Sequence, residues 1–174
     1  MFKEPKTRYV GDLTNIPNEL RTKTKYIYQF IIIAHFSKFL NSYLLENKKS
    51  NSILKCLNNF FIYFGKPKEY GSDNGKEFLN SAIQNFLKDN DVKFIRGRPY
   101  QPHSQGVVER VHITLRKALV SKFLEDIEAF DIEESLPLIV NIYNNTIHSV
   151  TQHTPFEIFY SKDSNFHKKY IKIY

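Results

Sequence analysis

Three carboxylates carry the chemical interest of this chain. They are Asp12 within RYVGDLTNI (8–16), Asp73 within GSDNG (71–75) and Glu109 within SQGVVER (104–110), with 35 residues between the last two. Each has an ordinary structural explanation. DNG is a turn built from residues that tolerate positive φ. An acid in the first turn of a helix compensates the helix dipole. Asp12 is harder to dismiss, because a carboxylate in mid-strand is costly unless hydrogen bonds or a cation offset it.

The surroundings of Glu109 sharpen the question. Between Arg96 and Lys117 stand five bases (Arg96, Arg98, Arg110, Arg116, Lys117) and one acid, Glu109. The net charge of +7 is the usual electrostatic footprint of a polyanion binder. At about 100° per residue, Val108, Val111, Leu115 and Leu119 gather on one side of a helix. Glu109 then points roughly 120° away from them, beside His112, Ile113 and Arg116, while Arg110 and Lys117 fan further toward solvent. That stripe suits a carboxylate that holds a metal while its neighbours hold phosphate. The acidic run EDIEAFDIEE (125–134) reads instead as a solvated helix boundary.

Positioning these groups falls to an alternating set of elements. Strands are expected at 8–16, 26–36, 39–46, 68–72 and 92–97, the second dense in Ile and Phe as in a strand covered on both faces. HFSK (35–38) is the turn of a hairpin between the second and third. Helices are expected at 50–65, 77–90, 106–124 and 132–146. Strands first, then helices alternating with strands, predict an α/β domain on a mixed central sheet of about five strands. The 174 residues make one domain, with a core at 8–160, a loose extension at 1–7 and a tail at 161–174. The lone Cys56 excludes an internal disulfide and fits a reducing compartment. FIIIAHF (30–36) is too short to span a bilayer and no amino-terminal stretch resembles a signal peptide, so the expectation is an intracellular protein with no membrane partner.

In order along the chain, DLT (12–14), AHFSKF (34–39), GSDNGKEF (71–78), RPYQPHSQGVVER (98–110) and YNNTIHSVTQHTPFEIFY (143–160) resemble the catalytic core of retroviral and retrotransposon integrases. The tone is closest to integrases of eukaryotic mobile elements. These belong to the DDE transposases, whose fold is RNase H-like, and the interval from Asp73 to Glu109 matches the family's D-35-E spacing. The resemblance implies that Asp12, Asp73 and Glu109 together bind two Mg²⁺ (or Mn²⁺) ions, about 3.5–4 Å apart, with no small-molecule cofactor. The implied reactions are 3′-end processing and strand transfer into target DNA. It also implies that RPYQPHSQG is a mobile loop over the site, stiffened by Pro99 and Pro102 and hinged at Gly97 and Gly106. Tyr100, Gln101 and Gln105 would touch the DNA end, Asn74 would sit beside the metal, and Arg110, His112, Arg116 and Lys117 would approach phosphate.

By the same resemblance the protein would act in the nucleus as a homodimer or higher oligomer, pairing through the helices at 107–124 and 132–146. Two departures stand out. Ala34 occupies a position where many relatives carry aspartate. Neither the amino-terminal zinc-binding domain nor the carboxy-terminal DNA-binding domain usual in the family fits within this sequence, so an isolated core, a fragment of a polyprotein or a degraded copy is expected. Two other functions remain open on sequence grounds: a catalytically silent descendant that binds DNA or a protein partner, and an RNase H-like nuclease. The intact triad speaks against the first, and the D-35-E spacing with SQGVVER against the second.

Overall fold

A β-strand sends successive side chains to opposite faces, and that alternation divides this molecule in two. The protein is seen here in a computed structural model that describes residues 6–72, 77–96, 102–149 and 151–161, with the backbone alone for 102–107. β1 (Arg8–Asn15), β2 (Tyr28–Ala34) and β3 (Leu40–Leu45) form an antiparallel meander. β4 (Glu69–Ser72) then pairs parallel with β1, and β5 (Lys93–Arg96) parallel with β4. The sheet order is β3-β2-β1-β4-β5, the mixed five-stranded sheet expected.

On one face, Tyr9 of β1 and Phe30, Ile32 and Ala34 of β2 join a core with α1 (Ser50–Phe64), α2 (Ser81–Asp89) and Phe159 of α5 (Pro155–Tyr160). On the other, Val10, Ile31 and Ile33 pack beneath α3 (Pro102–Glu125) and α4 (Ile132–Asn145). By this parity Asp12 shares Val10's side of the sheet and stands beneath α3. The helix meets it with the expected stripe: Val108, Val111, Leu115 and Leu119 are all buried.

β3 lies at the edge of the sheet, where unpaired backbone groups invite association. Asn144 of α4 covers its first residue. The buried amide donates to the Leu40 carbonyl at 2.8 Å and accepts from the Leu40 N–H at 3.0 Å, joining positions 104 residues apart.

Several boundaries differ from the sequence reading. α3 begins at Pro102, four residues before the expected start at 106, so Gly106 lies inside a helix rather than at a hinge. Proline is suited to a helix's first position, where its φ is already set and no N–H is wanted. α2 starts at Ser81 rather than 77 because the Asn80 side chain accepts from the Ile83 N–H at 3.0 Å and caps it. A 3₁₀ turn at Asn18–Lys23 and α5 were not anticipated. Each spans six residues, too few for a helical period to register. The acidic run does end one helix and begin the next, with the Asp131 carboxylate accepting from the Glu133 N–H at 2.7 Å. Among the described residues no helix is long and apolar enough to cross a membrane.

Candidate active site

Backbone pairing explains how Asp12 is held. Even-numbered residues along β1 and just past its end exchange hydrogen bonds with the β2 side (His35 N–H to Arg8 carbonyl, Ile16 N–H to Ile27 carbonyl), whereas Thr7, just before β1, accepts from the Glu69 N–H of β4. Odd residues therefore address β4. Among the described residues that ladder runs as far as Gly11 opposite Ser72. Just beyond it the Leu13 N–H donates to the Asp12 carboxylate, Oδ1 accepting at 3.0 Å.

The second oxygen is engaged from α3. His112 Nε2 lies 2.7 Å from Asp12 Oδ2, across a separation of 100 residues. Both side chains are largely covered, His112 being 15% exposed and Asp12 27%. An ionised carboxylate only accepts, so Nε2 carries the proton that is shared. The other ring nitrogen, Nδ1, is buried and has no hydrogen-bond partner among the described residues. Glu109 is exposed on α3, three residues before His112, and residues at that spacing are neighbours on a helix surface. Asp12, His112 and Glu109 thus share one side of the molecule.

Close by is a buried cation that sequence reasoning passed over. Lys38 sits in the β2–β3 turn at φ 65°, a left-handed conformation uncommon outside glycine. Its side chain turns inward, is buried, and donates from Nζ to the His35 carbonyl at 2.6 Å. Burial, reinforced by the Arg110 charge, pushes the ammonium pKa down to about 8. Burial, then Lys38 and Arg8, push His35 down to about 4. Burial lowers His148 too, with Lys38 and Arg110 adding to it. Arg110, an expected DNA contact, is exposed at the rim of this positive cluster. The sequence showed Lys38 only as part of a turn, since neither a left-handed φ nor an inward side chain leaves a periodic trace.

Of the other predicted site residues, Arg116 and Lys117 are exposed on α3. Asp73, Asn74, Tyr100 and Gln101 lie outside the described residues, as does the side chain of Gln105. Among the described residues no three His, Cys, Asp or Glu side chains form a metal-sized cluster. The donors that are described nevertheless fit a hard cation. Each Asp12 oxygen spends one lone pair on a hydrogen bond and keeps another, and Glu109 faces solvent.

A mixed sheet ordered β3-β2-β1-β4-β5, with helices on both faces and a carboxylate on its central strand, defines the class as an RNase H-like α/β fold. The chain belongs to the integrase core domain family, whose profile matches residues 3–102. It is 28% identical over 148 residues to the retrovirus-related Pol polyprotein of transposon 412 from Drosophila melanogaster, covering 84% of this chain. It spans only 12% of that polyprotein's length. Among solved structures it is similar to a chain of the simian T-cell lymphotropic virus intasome in complex with PP2A regulatory subunit B56 gamma, with a TM-score of 0.80 and 19% identity over 92% of this chain and 56% of that one. The HTLV-2 integrase catalytic core, solved with magnesium in a trimeric form, aligns with a TM-score of 0.76 and 18% identity over 90% of this chain and 98% of that one. At such identities these two likenesses speak for the fold.

Proposed function

We propose that this chain is the catalytic core of an integrase that cuts and joins DNA, with Asp12, Asp73 and Glu109 as the carboxylates that hold divalent metal. The observation that carries the reading is the end of the β1–β4 ladder. Gly11 stands opposite Ser72, and each is followed in the sequence by one of the predicted aspartates. Glu109 enters from α3 on the face that Asp12 occupies, and the His112–Asp12 hydrogen bond ties helix to strand there.

The division of labour follows from side-chain chemistry. Carboxylate oxygens suit magnesium or manganese, and two ions are the expected complement. Held by these carboxylates, magnesium would supply Lewis acidity for activating a water or 3′-hydroxyl and for stabilising the leaving oxygen. Arg116 and Lys117 offer exposed cations to DNA phosphates along the helix that carries Glu109. Asn74, Tyr100, Gln101, Gln105 and Arg110 complete the proposed DNA surface. The substrates are element ends and target DNA, the reactions 3′-end processing and strand transfer, the compartment the nucleus, and the working form a homo-oligomer. The core runs from 8 to 160, flanked by 1–7 and 161–174.

The test is a metal-dependent DNA nicking and joining assay, including reversal of strand transfer. Activity should require Mg²⁺ or Mn²⁺ and vanish with chelator. Asp73→Asn and Glu109→Gln should each abolish it while leaving the circular dichroism spectrum intact. Full activity and metal binding in both variants would remove the enzyme reading.

A further inference from the structure

Asp12 is a carboxylate fixed from two directions. Its own strand supplies the Leu13 N–H to Oδ1 at 3.0 Å, and α3 supplies His112 Nε2 to Oδ2 at 2.7 Å. The imidazole is 15% exposed and its Nδ1 is buried. Nδ1 is thus covered and Nε2 is already engaged by Asp12, which leaves neither nitrogen turned toward a DNA phosphate. A ring in that setting serves the carboxylate.

We propose that His112 is a positioning residue for Asp12: its Nε2–H sets the carboxylate rotamer so that the remaining lone pairs address the metal site. The inference rests on the reading of Asp12 as a metal ligand given above. The physical reason is preorganisation. A free aspartate samples several χ1 and χ2 wells, and ordering it costs side-chain entropy on binding. Two hydrogen bonds made beforehand remove that cost, and each oxygen still keeps a lone pair for a cation. Hydrogen-bond partners behind a ligand commonly control metal affinity by 10–100-fold. Because α3 carries both His112 and Glu109, the same contact also fixes the helix that brings the exposed carboxylate toward the strand that brings the covered one.

Geometry gives the idea a sharp test. Glutamine places its amide nitrogen where histidine has Nε2; asparagine places its own where histidine has Nδ1. Only glutamine can reach Asp12 from position 112. Mn²⁺ binding to the full chain, without DNA, is followed by the electron paramagnetic resonance of free Mn²⁺ in the wild type, His112→Ala, His112→Gln and His112→Asn. Asp12→Asn and Glu109→Gln are the controls, and thermal melts confirm that each variant folds. The expected result is affinity weakened about 10–100-fold in His112→Ala and His112→Asn, and restored to within a few-fold of wild type in His112→Gln. Unchanged or tighter binding in His112→Ala, or equal values for the Gln and Asn variants, overturns the positioning role. If Asp12→Asn and Glu109→Gln also bind Mn²⁺ as the wild type does, the metal-site reading has failed and the positioning role with it. If those controls lose binding while His112→Ala keeps it, only the positioning role has failed.

Discussion

The hydroxyl of Tyr70 occupies the place where a Cβ on Gly11 would stand. Cζ of that ring would lie 2.8 Å from such a Cβ, and Phe30 Cε2 3.2 Å from it. Tyr70 is fully buried and paired with Tyr9, so the ring cannot swing away without opening the core. Gly11 thus makes room for the Tyr70 ring of β4, one residue before Asp12. Gly11→Ala should cost about 3 kcal/mol by overpacking, read as a lower urea midpoint. Adding Tyr70→Phe, which removes the obstructing oxygen, should recover part of the loss; strictly additive effects would contradict this contact between Tyr70 and Gly11.

Asn144 should be as costly to lose as a large core side chain, although it is polar. Its two hydrogen bonds satisfy both backbone groups of Leu40. Asn144→Leu keeps the volume and strands a buried donor and acceptor, at about 2–4 kcal/mol. Equilibrium unfolding of the variant measures this, and a change below about 0.5 kcal/mol would mean that water or a neighbour replaces the amide.

Lys38 makes stability depend on pH in the alkaline range. The unfolded chain keeps this proton up to the ordinary lysine value of 10.5, whereas the folded protein releases it near 8. Between those values the unfolded state binds more protons, so stability rises with pH across the window. The burial penalty is present in full below pH 8. Relative to Lys38→Met, the wild type should therefore gain on the order of 2 kcal/mol between pH 8 and pH 10. Parallel stability curves for the two proteins would show that the ammonium is not penalised.

Arg116 and Lys117 are exposed on α3 and are proposed to meet DNA phosphates. Replacing both by alanine should weaken DNA binding alike for all sequences and reduce the slope of log affinity against log salt by about 1 to 2. Fluorescence anisotropy at several salt concentrations measures that slope, and an unaltered value would place the DNA elsewhere.

Much of the fold was legible because strands and long helices announce themselves through periodicity. YIYQFIIIAHF has the Ile and Phe density of a strand covered on both faces, and the spacing of Val108, Val111, Leu115 and Leu119 marks the inner side of α3. What escaped were features that depend on single residues. Asn80 trims α2 by one side-chain cap, and Pro102 starts α3 early. At the candidate site, Asp12 stood out as an acid in mid-strand and Glu109 as a lone acid among bases. The partner of Asp12 was not, because His112 lies 100 positions away and its place on the glutamate's side of the helix suited a phosphate equally well. Lys38 was invisible for a different reason: a turn lysine is normally solvated, and only the left-handed backbone and the packing around it turn this one inward.

The central claim is that carboxylates distant in sequence hold divalent metal at one place. Its most direct measurement is the anomalous scattering of crystals of the 174-residue protein soaked in Mn²⁺. The account predicts a peak about 2 Å from a carboxylate oxygen of Asp12, with Asp73 or Glu109 completing the ligands. Manganese bound only at other surface acids, with Asp12 still held only by His112 and the Leu13 N–H, would contradict it.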